Sequence, residues 1–295
     1  MIPPIEELRR LRTRIQATTE YLKLPFRKHV WRGQTGDFSG SGTGSSLDFQ
    51  DHRNYMPGDD PRHINWQAFA RTGNYSMKMY REEVRPLTDI ILDVSDSMFF
   101  TPEKAKRAVE LFYFLIESAY RDGASAACYL VKGKSHIRLS DEAVHGDLWP
   151  DEAAKLKPQD PREAPVVGDL PLRGNAMRIF VSDLLFHATP GMIVSTLSTR
   201  QGRGMILSPF ANEEANPGWQ GNYEFIDPED GTSHMRRVEP ALLKRYLTAY
   251  GQHFDYWKTV SRKHGVLLAR VPARGEFQEA MQMEALKTGA VEMMA

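Results

Sequence analysis

The 295-residue chain has one cysteine, no excess of either charge and no long hydrophobic run. A single cysteine excludes an internal disulfide framework and argues against a zinc site built on cysteines. Cys128 lies in an apolar stretch that predicts a buried strand, so we expect a structural thiol rather than a nucleophile. One unpaired thiol fits a reducing compartment, and we predict a cytoplasmic protein.

Charge and hydropathy argue against two further classes of partner. Lys plus Arg and Asp plus Glu number 38 each, so no basic excess favours a nucleic acid. No apolar run approaches the roughly 20 residues of a membrane span. Residues 1 to 7 lack the basic and apolar regions of a signal peptide. We therefore expect no nucleic-acid partner and no membrane span.

Apolar strands alternate with helical patterns from residue 88 onward. The predicted strands are 88 to 93, 125 to 131, 177 to 182, 204 to 208 and 266 to 271, and the predicted helices are 102 to 121, 191 to 199 and 240 to 264. This alternation predicts an α/β fold with a central, mostly parallel sheet and helices on both faces.

We predict three segments along the chain. Residues 1 to 87 form an N-terminal extension that packs on the main domain, with a helix, a glycine-rich loop at 33 to 46 and a strand at 75 to 81 expected to extend or flank the sheet. The glycines match neither a dinucleotide fingerprint nor a phosphate-binding loop. Residues 88 to 275 form the α/β domain, and 276 to 295 form a C-terminal helix and tail.

Polar side chains follow two of the predicted strands where each strand ends. Asp93, Ser95 and Ser97 come after the first strand, and Asp183 follows the strand at 177 to 182. Because parallel strands present their carboxyl ends at one edge, these residues are expected to share a site. Their oxygens suit Mg²⁺ or Mn²⁺. Alternatively, Asp and Ser here only cap the following turn and helix.

Phosphoryl transfer is the enzymatic alternative for Asp93. Haloacid-dehalogenase-like phosphatases place a nucleophilic Asp at a strand end, with a second acidic residue two positions on. Here that position is Ser95, and Asp96 is displaced by one residue. The chain also has no Gly-x-Ser-x-Gly nucleophile elbow. We predict that the protein is not an enzyme, with a metal-dependent phosphohydrolase using Asp93 as the alternative.

A second polar segment, residues 53 to 66, is dense in aromatic, charged and turn residues. Asp59 and Asp60 directly follow the turn Pro57-Gly58. The basic residues close to them in sequence are Arg53, Arg62 and Arg71. Because arginines keep carboxylates ionised, we expect a buried or half-buried ion-pair network rather than a catalytic acid pair.

Together the two segments resemble a bacterial family of unknown function. The residues that carry the resemblance are Arg53, Tyr55, Pro57, Gly58, Asp59, Asp60, Arg62, Ile64 and Trp66, then Ala70-Arg71-Thr72-Gly73 and Lys78. Members of that family contain a von Willebrand factor A-like domain and are commonly encoded beside MoxR-type AAA+ ATPases. Asp93-x-Ser95-x-Ser97 resembles the metal-ion-dependent adhesion site of that domain.

The resemblance implies a von Willebrand factor A-like, Rossmann-like fold with an N-terminal extension. It also implies an adaptor or co-chaperone that docks a MoxR-type AAA+ ATPase, its client protein, or both. Asp93, Ser95 and Ser97 would hold the ion, with Asp183 acting directly or through water, and the ion typically recruits an acidic side chain of the partner. The interaction residues carried over are Arg53, Tyr55, Gly58, Asp59, Asp60, Arg62, Trp66 and Arg71.

Two positions depart from the family pattern. Ile64-Asn65-Trp66 stands where the pattern usually reads Ile-Asp-Trp. The adhesion site normally takes a threonine hydroxyl from a loop before the strand ending at Asp183, yet residues 132 to 182 contain no threonine. We therefore expect a weak or empty metal site unless Gly168-Asp169 or water substitutes. A scaffold whose metal site has decayed is the third alternative.

Overall fold

The computed structural model describes residues 1–26, 35–40, 49–80 and 82–294. The helices are α1 Ile5–Thr18, α2 Trp66–Thr72, α3 Pro102–Arg121, α4 Asp141–His145, α5 Trp149–Ala153, α6 Pro190–Ser198, α7 Asn212–Ala215, α8 Pro240–Lys263, α9 Phe277–Met283 and α10 Ala285–Thr288. The strands are β1 Leu22–Lys23, β2 Thr35–Gly40, β3 Phe49–Asn54, β4 Ser76–Tyr80, β5 Glu82–Val84, β6 Leu87–Asp93, β7 Ser125–Lys132, β8 Ser135–Arg138, β9 Ala176–Val181, β10 Arg203–Phe210, β11 Gly221–Ile226, β12 Ser233–Val238, β13 Leu267–Pro272 and β14 Glu292–Met293.

The chain forms two compact units. The larger comprises Met1–Pro25 and Leu87–Ala295, and the smaller comprises Phe26–Pro86. The larger unit holds a six-stranded sheet in the order β13-β10-β9-β6-β7-β8. Its neighbouring strands are parallel except for the β7–β8 hairpin. The predicted α/β fold with a mostly parallel central sheet flanked by helices is confirmed.

The central strand β6 carries an apolar run in its middle because both of its faces are covered. Ile90, Ile91 and Leu92 have no exposed surface. Ile91 belongs to the core cluster that includes Val194 of α6 and Trp257 of α8. Side chains of a strand alternate between faces, so Ile90 and Leu92 point to the opposite face, where α3 packs on β6.

The helix α3 begins where the sequence predicts. Thr101 Oγ1 accepts the backbone N–H of Lys104 at 3.3 Å, and Pro102 occupies the first helical position. The N-terminal helix α1 packs on α3, and Arg12 Nε lies 2.7 Å from Glu117 Oε1. Cys128 is buried in β7, as predicted. Among the described residues, no helix is long and apolar enough to cross a bilayer.

Within the smaller unit, β2 pairs with β5 and β3 pairs with β4, both antiparallel. The strand predicted at 75 to 81 was expected to extend or flank the main sheet; extension is wrong, because β4 forms its ladder with β3. The glycine-rich segment at 33 to 46 is also not a loop throughout. Residues 35 to 40 form β2, and the rest of that prediction lies outside the described residues.

An antiparallel hairpin, β11–β12, precedes α8 in the larger unit. Its β11 side chains alternate between half-buried and exposed, whereas residues 233 to 237 of β12 are all exposed. Phe225 of β11 packs edge-on against Trp219, which also contacts Tyr246 of α8. This aromatic packing attaches the hairpin to α8 and leaves its connecting turn, residues 227 to 232, beside the carboxyl end of β6.

Candidate functional site

Asp93 ends the central strand, and the loop that follows it carries both serines of the motif. Asp93 Oδ1 accepts the backbone N–H of Ser95 at 3.0 Å, and its Oδ2 accepts the hydroxyl of Ser182 at 2.7 Å. The Asp93 carboxylate has no exposed surface. These bonds fix the start of the loop, which continues as the 3-10 turn Asp96–Phe99.

The hydroxyls of Ser95 and Ser97 converge, with their oxygens 3.2 Å apart. Both residues line a cavity of about 320 Å³ at the carboxyl end of the sheet. Neighbouring oxygen ligands of an octahedral Mg²⁺, each roughly 2.1 Å from the ion, lie roughly 3 Å apart. The spacing of the two hydroxyls therefore suits adjacent ligand positions on one such ion.

Asp183 follows β9, the parallel neighbour of β6, and has a buried lysine as its partner. Asp183 Oδ2 lies 2.6 Å from Lys104 Nζ, and its Oδ1 accepts the backbone N–H of Leu185 at 3.0 Å. Lys104 Nζ also lies 2.6 Å from Glu214 Oε1. Burial opposes the charged form of Lys104, but Asp183 and Glu214 outweigh it and raise the pKa of the lysine. Lys104 is thus a fixed cation beside the site.

The raised pKa of Asp93 shows that Lys104 does not offset the negative charges of both aspartates. Burial and, after it, the charge of Asp183 raise the pKa of Asp93 to about 7, against the hydrogen bonds from Ser182 and Ser95, which lower it. An additional cation at the serine hydroxyls would favour the ionised form of Asp93. By donor chemistry and by charge, Asp93, Ser95 and Ser97 therefore fit a hard divalent cation, whereas Asp183 already has a cationic partner.

The missing threonine has no replacement from the loop before β9. Gly168 and Asp169 line a neighbouring cleft of about 760 Å³ against α6, and they are not among the residues that line the serine cavity. Among the described residues, no three His, Cys, Asp or Glu side chains form a metal-binding cluster. A cation here would depend on hydroxyl oxygens and, beyond them, on water.

Two residues missed by sequence reasoning contact this region from distant parts of the chain. The carboxylate of Glu229 accepts the backbone N–H groups of Asp96 at 3.1 Å and of Ser97 at 2.8 Å. Lys104 could have been identified from the sequence, because it lies four residues before Ala108 and therefore on the apolar face of α3. For Glu229, the sequence shows a turn at Asp227-Pro228 but nothing that predicts a contact over 132 residues.

The ion pairs of the second segment are local, and the Arg53–Asp59 pair is half-buried, whereas Arg62 is more exposed than predicted. Arg53 Nη2 lies 2.6 Å from Asp59 Oδ1, and both side chains are partly exposed. Arg62 binds Asp60 through two guanidinium nitrogens, although 86% of the Arg62 side chain is exposed. Asp59 Oδ2 also accepts the backbone N–H of Met56 at 2.8 Å. The predicted half-buried pairing is present for Arg53 and Asp59, and together with the more exposed Arg62–Asp60 pair it stabilises a surface turn.

Backbone geometry explains other residues of this segment. Gly58 has φ of 105°, a left-handed conformation that favours glycine. Asn65 caps α2, with its side-chain oxygen accepting the Ala68 N–H at 3.1 Å. Asn and Asp cap helices about equally well, so the departure from Ile-Asp-Trp preserves the cap.

The aromatic residues of the segment form a cluster within the smaller unit. Tyr55 and Trp66 both lie beside Tyr75, with ring centroids 6.2 and 6.4 Å from it. Trp66 is nevertheless 57% exposed. Arg71 is exposed in the last turn of α2. The segment thus presents an aromatic and basic surface on the smaller unit.

Comparison with known proteins gives a family but no characterised relative. A family model described as "Protein of unknown function DUF58" matches residues 51–255. No curated protein matches the chain. Two solved structures are similar to it: an aerotolerance-related membrane protein from Bacteroides fragilis NCTC 9343 with multiple mutations to serines (12% identity, TM-score 0.36) and the conserved hypothetical protein BatB from Bacteroides thetaiotaomicron (13%, 0.37). Each alignment covers 69% of this chain and 98% of the other. At these TM-scores the likeness carries no weight for function.

Proposed function

We propose that this chain, which belongs to the DUF58 family of proteins of unknown function, is a non-enzymatic interaction module that docks a partner through a divalent cation. The observation that carries the proposal is the pair of serine hydroxyls, 3.2 Å apart in a cavity beside the buried Asp93. Ser95 and Ser97 would hold Mg²⁺ or Mn²⁺, with Asp93 supplying negative charge and fixing the loop. The bound cation would supply an electrophilic centre for an acidic side chain of the partner.

The position of the loop supports a von Willebrand factor A-type arrangement. The motif lies at the carboxyl end of β6, which has parallel neighbours on both sides, and Asp183 follows the adjacent strand β9. Ligands of open α/β sheets bind at such strand ends. Lys104 Nζ lies 2.6 Å from Asp183 Oδ2, so that carboxylate has a cationic partner within the chain and does not need the metal.

The burial of Asp93 supports an interaction role over phosphohydrolysis. A nucleophilic carboxylate must reach a phosphorus atom, but both oxygens of Asp93 accept hydrogen bonds and the side chain has no exposed surface. Position 95, where an acid–base partner would be needed, holds a serine. A screen with generic phosphoesters would favour the enzyme only if Mg²⁺-dependent turnover were lost in Asp93→Asn.

A scaffold without a metal is the second candidate, and Lys104 is the observation that favours it. Its ammonium lies 2.6 Å from both Asp183 and Glu214, so part of the site's negative charge is already balanced. The two candidates differ in one measurable property. The interaction module binds a divalent cation in the isolated chain or with its partner, and the scaffold binds none in either state.

The partner class comes from the resemblance of the Arg53 to Trp66 segment. On that basis we propose an adaptor or co-chaperone of a MoxR-type AAA+ ATPase, or of its client, in the cytoplasm. The exposed Trp66 and Arg62 of the smaller unit are consistent with a second contact surface. Capture of a purified MoxR-type ATPase by the full chain, with and without chelator, tests this assignment.

The deciding experiment is isothermal titration of Mg²⁺ and Mn²⁺ into chelator-stripped protein and into Asp93→Ala. We expect binding in the wild type that is lost in the variant, together with weaker ATPase capture, because the loop loses its anchoring carboxylate. Circular dichroism and urea denaturation verify that Asp93→Ala is folded. Unchanged metal binding and capture in a folded variant would contradict the proposal.

A further inference from the structure

Glu229 brings to the Ser95–Ser97 loop a carboxylate that belongs to the chain itself. Its Oε2 accepts the N–H of Asp96 at 3.1 Å, and its Oε1 accepts the N–H of Ser97 at 2.8 Å. Hydrogen bonds to an ionised acceptor are stronger than those between neutral groups. Glu229 also lines the same cavity as the two serines. An acidic group is therefore already present where the proposed function places one from a partner.

The turn that carries Glu229 is held in place by its neighbours. Asp227 Oδ1 accepts the backbone N–H of Glu229 at 3.0 Å. Arg162, another residue of the cavity wall, lies 2.6 Å from Asp230 and 3.2 Å from Asp227. The same guanidinium donates to Thr232 Oγ1 at 2.8 Å. Arg162 thus clamps both ends of the turn and directs Glu229 onto the loop.

We infer that Glu229 is an internal acidic group that keeps the serine face closed, and that an acidic side chain of a partner must displace it. The inference rests on the proposed function, which assigns docking of an acidic group to this face. A partner carboxylate entering the cavity would meet the negative charge of Glu229, and like charges repel at such distances. Docking at the serines therefore requires the turn to move.

The attachment of the turn is suited to release. The Arg162 side chain is 50% exposed, and exposed ion pairs contribute little and are screened by salt. The hairpin is fixed elsewhere, because Phe225 packs on Trp219 and Trp219 packs on Tyr246 of α8. The turn can therefore leave the loop while this aromatic packing stays in place.

Amide hydrogen exchange on the full chain, without metal, tests the contact directly. The variants are Glu229→Ala and the matched control Glu224→Ala, which removes a glutamate from an exposed position of β11. We expect peptides covering residues 94 to 99 to exchange roughly tenfold faster in Glu229→Ala, the size expected for loss of hydrogen bonds to a charged group. The control should match the wild type. Equal exchange in all three proteins overturns the inference.

Water-proton relaxation of the Mn²⁺-loaded proteins during an acetate titration tests closure. Acetate represents the acidic side chain of a partner. We expect acetate to lower the water-proton relaxation rate of the Mn²⁺-loaded Glu229→Ala variant and to leave the rates of the wild type and of Glu224→Ala unchanged. An equal response in the wild type overturns closure by Glu229. Absence of Mn²⁺ binding in all three proteins overturns the proposed metal function instead, and amide exchange then decides alone whether Glu229 closes the loop.

Discussion

The two aspartate-bearing segments of this chain carry their charges in opposite surroundings. In the smaller unit, Asp59 and Asp60 pair with arginines six and two residues away, on the surface. In the larger unit, Asp93 and Asp183 are buried, and Lys104 reaches Asp183 across 79 residues. The first arrangement needs only local geometry, whereas the second exists only when the whole sheet and α3 are assembled.

This difference separates residues that shape a segment from residues that maintain a site. Exposed pairs contribute little to stability, so the value of Asp59 and Asp60 lies in fixing the turn around Gly58. A buried carboxylate that loses its partner keeps its desolvation cost, so Asp183 depends on Lys104. The same kind of substitution should therefore lower the free energy of unfolding much more in the larger unit than in the smaller one.

The largest effect is expected from Lys104→Met. Removal of the ammonium leaves Asp183 buried beside Glu214 without its cation, and we expect the free energy of unfolding to fall by about 3 to 5 kcal/mol. Urea denaturation followed by fluorescence measures the change. The double variant Lys104→Met with Asp183→Asn should recover part of the loss, because the orphaned charge is gone. Additive losses in the double variant would show that Lys104 and Asp183 are not coupled and that the buried pair is no more important than the surface pairs.

An intermediate effect is expected from Asn65→Ala in the smaller unit. The change removes the side chain that caps α2 and should cost about 1 kcal/mol. Asn65→Asp restores the usual family residue and should match the wild type, since Asp caps equally well. Thermal denaturation of the wild type and the two variants measures the order of their stabilities. If Asn65→Asp were as unstable as Asn65→Ala, capping would not explain the tolerance of asparagine here.

The smallest effects are expected from Asp59→Asn and Asp60→Asn. Both should lower the melting temperature less than Asn65→Ala, because the pairs they break are exposed to solvent. Asp59→Asn should be the larger of the two, since Asp59 also accepts the Met56 N–H. Added salt should reduce both differences. A loss comparable to that of Lys104→Met would mean that surface pairs matter as much as the buried one.

Much of the fold could be predicted because its signals are local. The run Ile90-Ile91-Leu92 and the start of α3 at Thr101-Pro102 are visible in a few residues each. The proximity of Asp183 to Asp93 could also be predicted from the pattern of strands, because β6 and β9 are parallel neighbours whose carboxyl ends lie at one edge of the sheet. In the hairpin only β11 carries an alternating pattern, because residues 233 to 237 of β12 are all exposed.

The rest of the site could not be predicted because its contacts are long-range. Lys104 and Glu229 join the site only through tertiary packing, and a charged residue in a helix or turn is ordinarily solvated. The long helix at 240 to 264 shows the same limit. Its apolar residues Phe254 and Trp257 are buried, yet Leu247 is 40% exposed.

The burial of Cys128 makes the motion of the hairpin turn accessible to labelling. The thiol lies within the sheet, where burial raises its pKa to about 12, so almost no thiolate is available to react at neutral pH. A cysteine introduced at the exposed Met235 would then be the one reactive thiol of the chain. A spin label or fluorophore placed there would report opening of the turn in the otherwise native sequence.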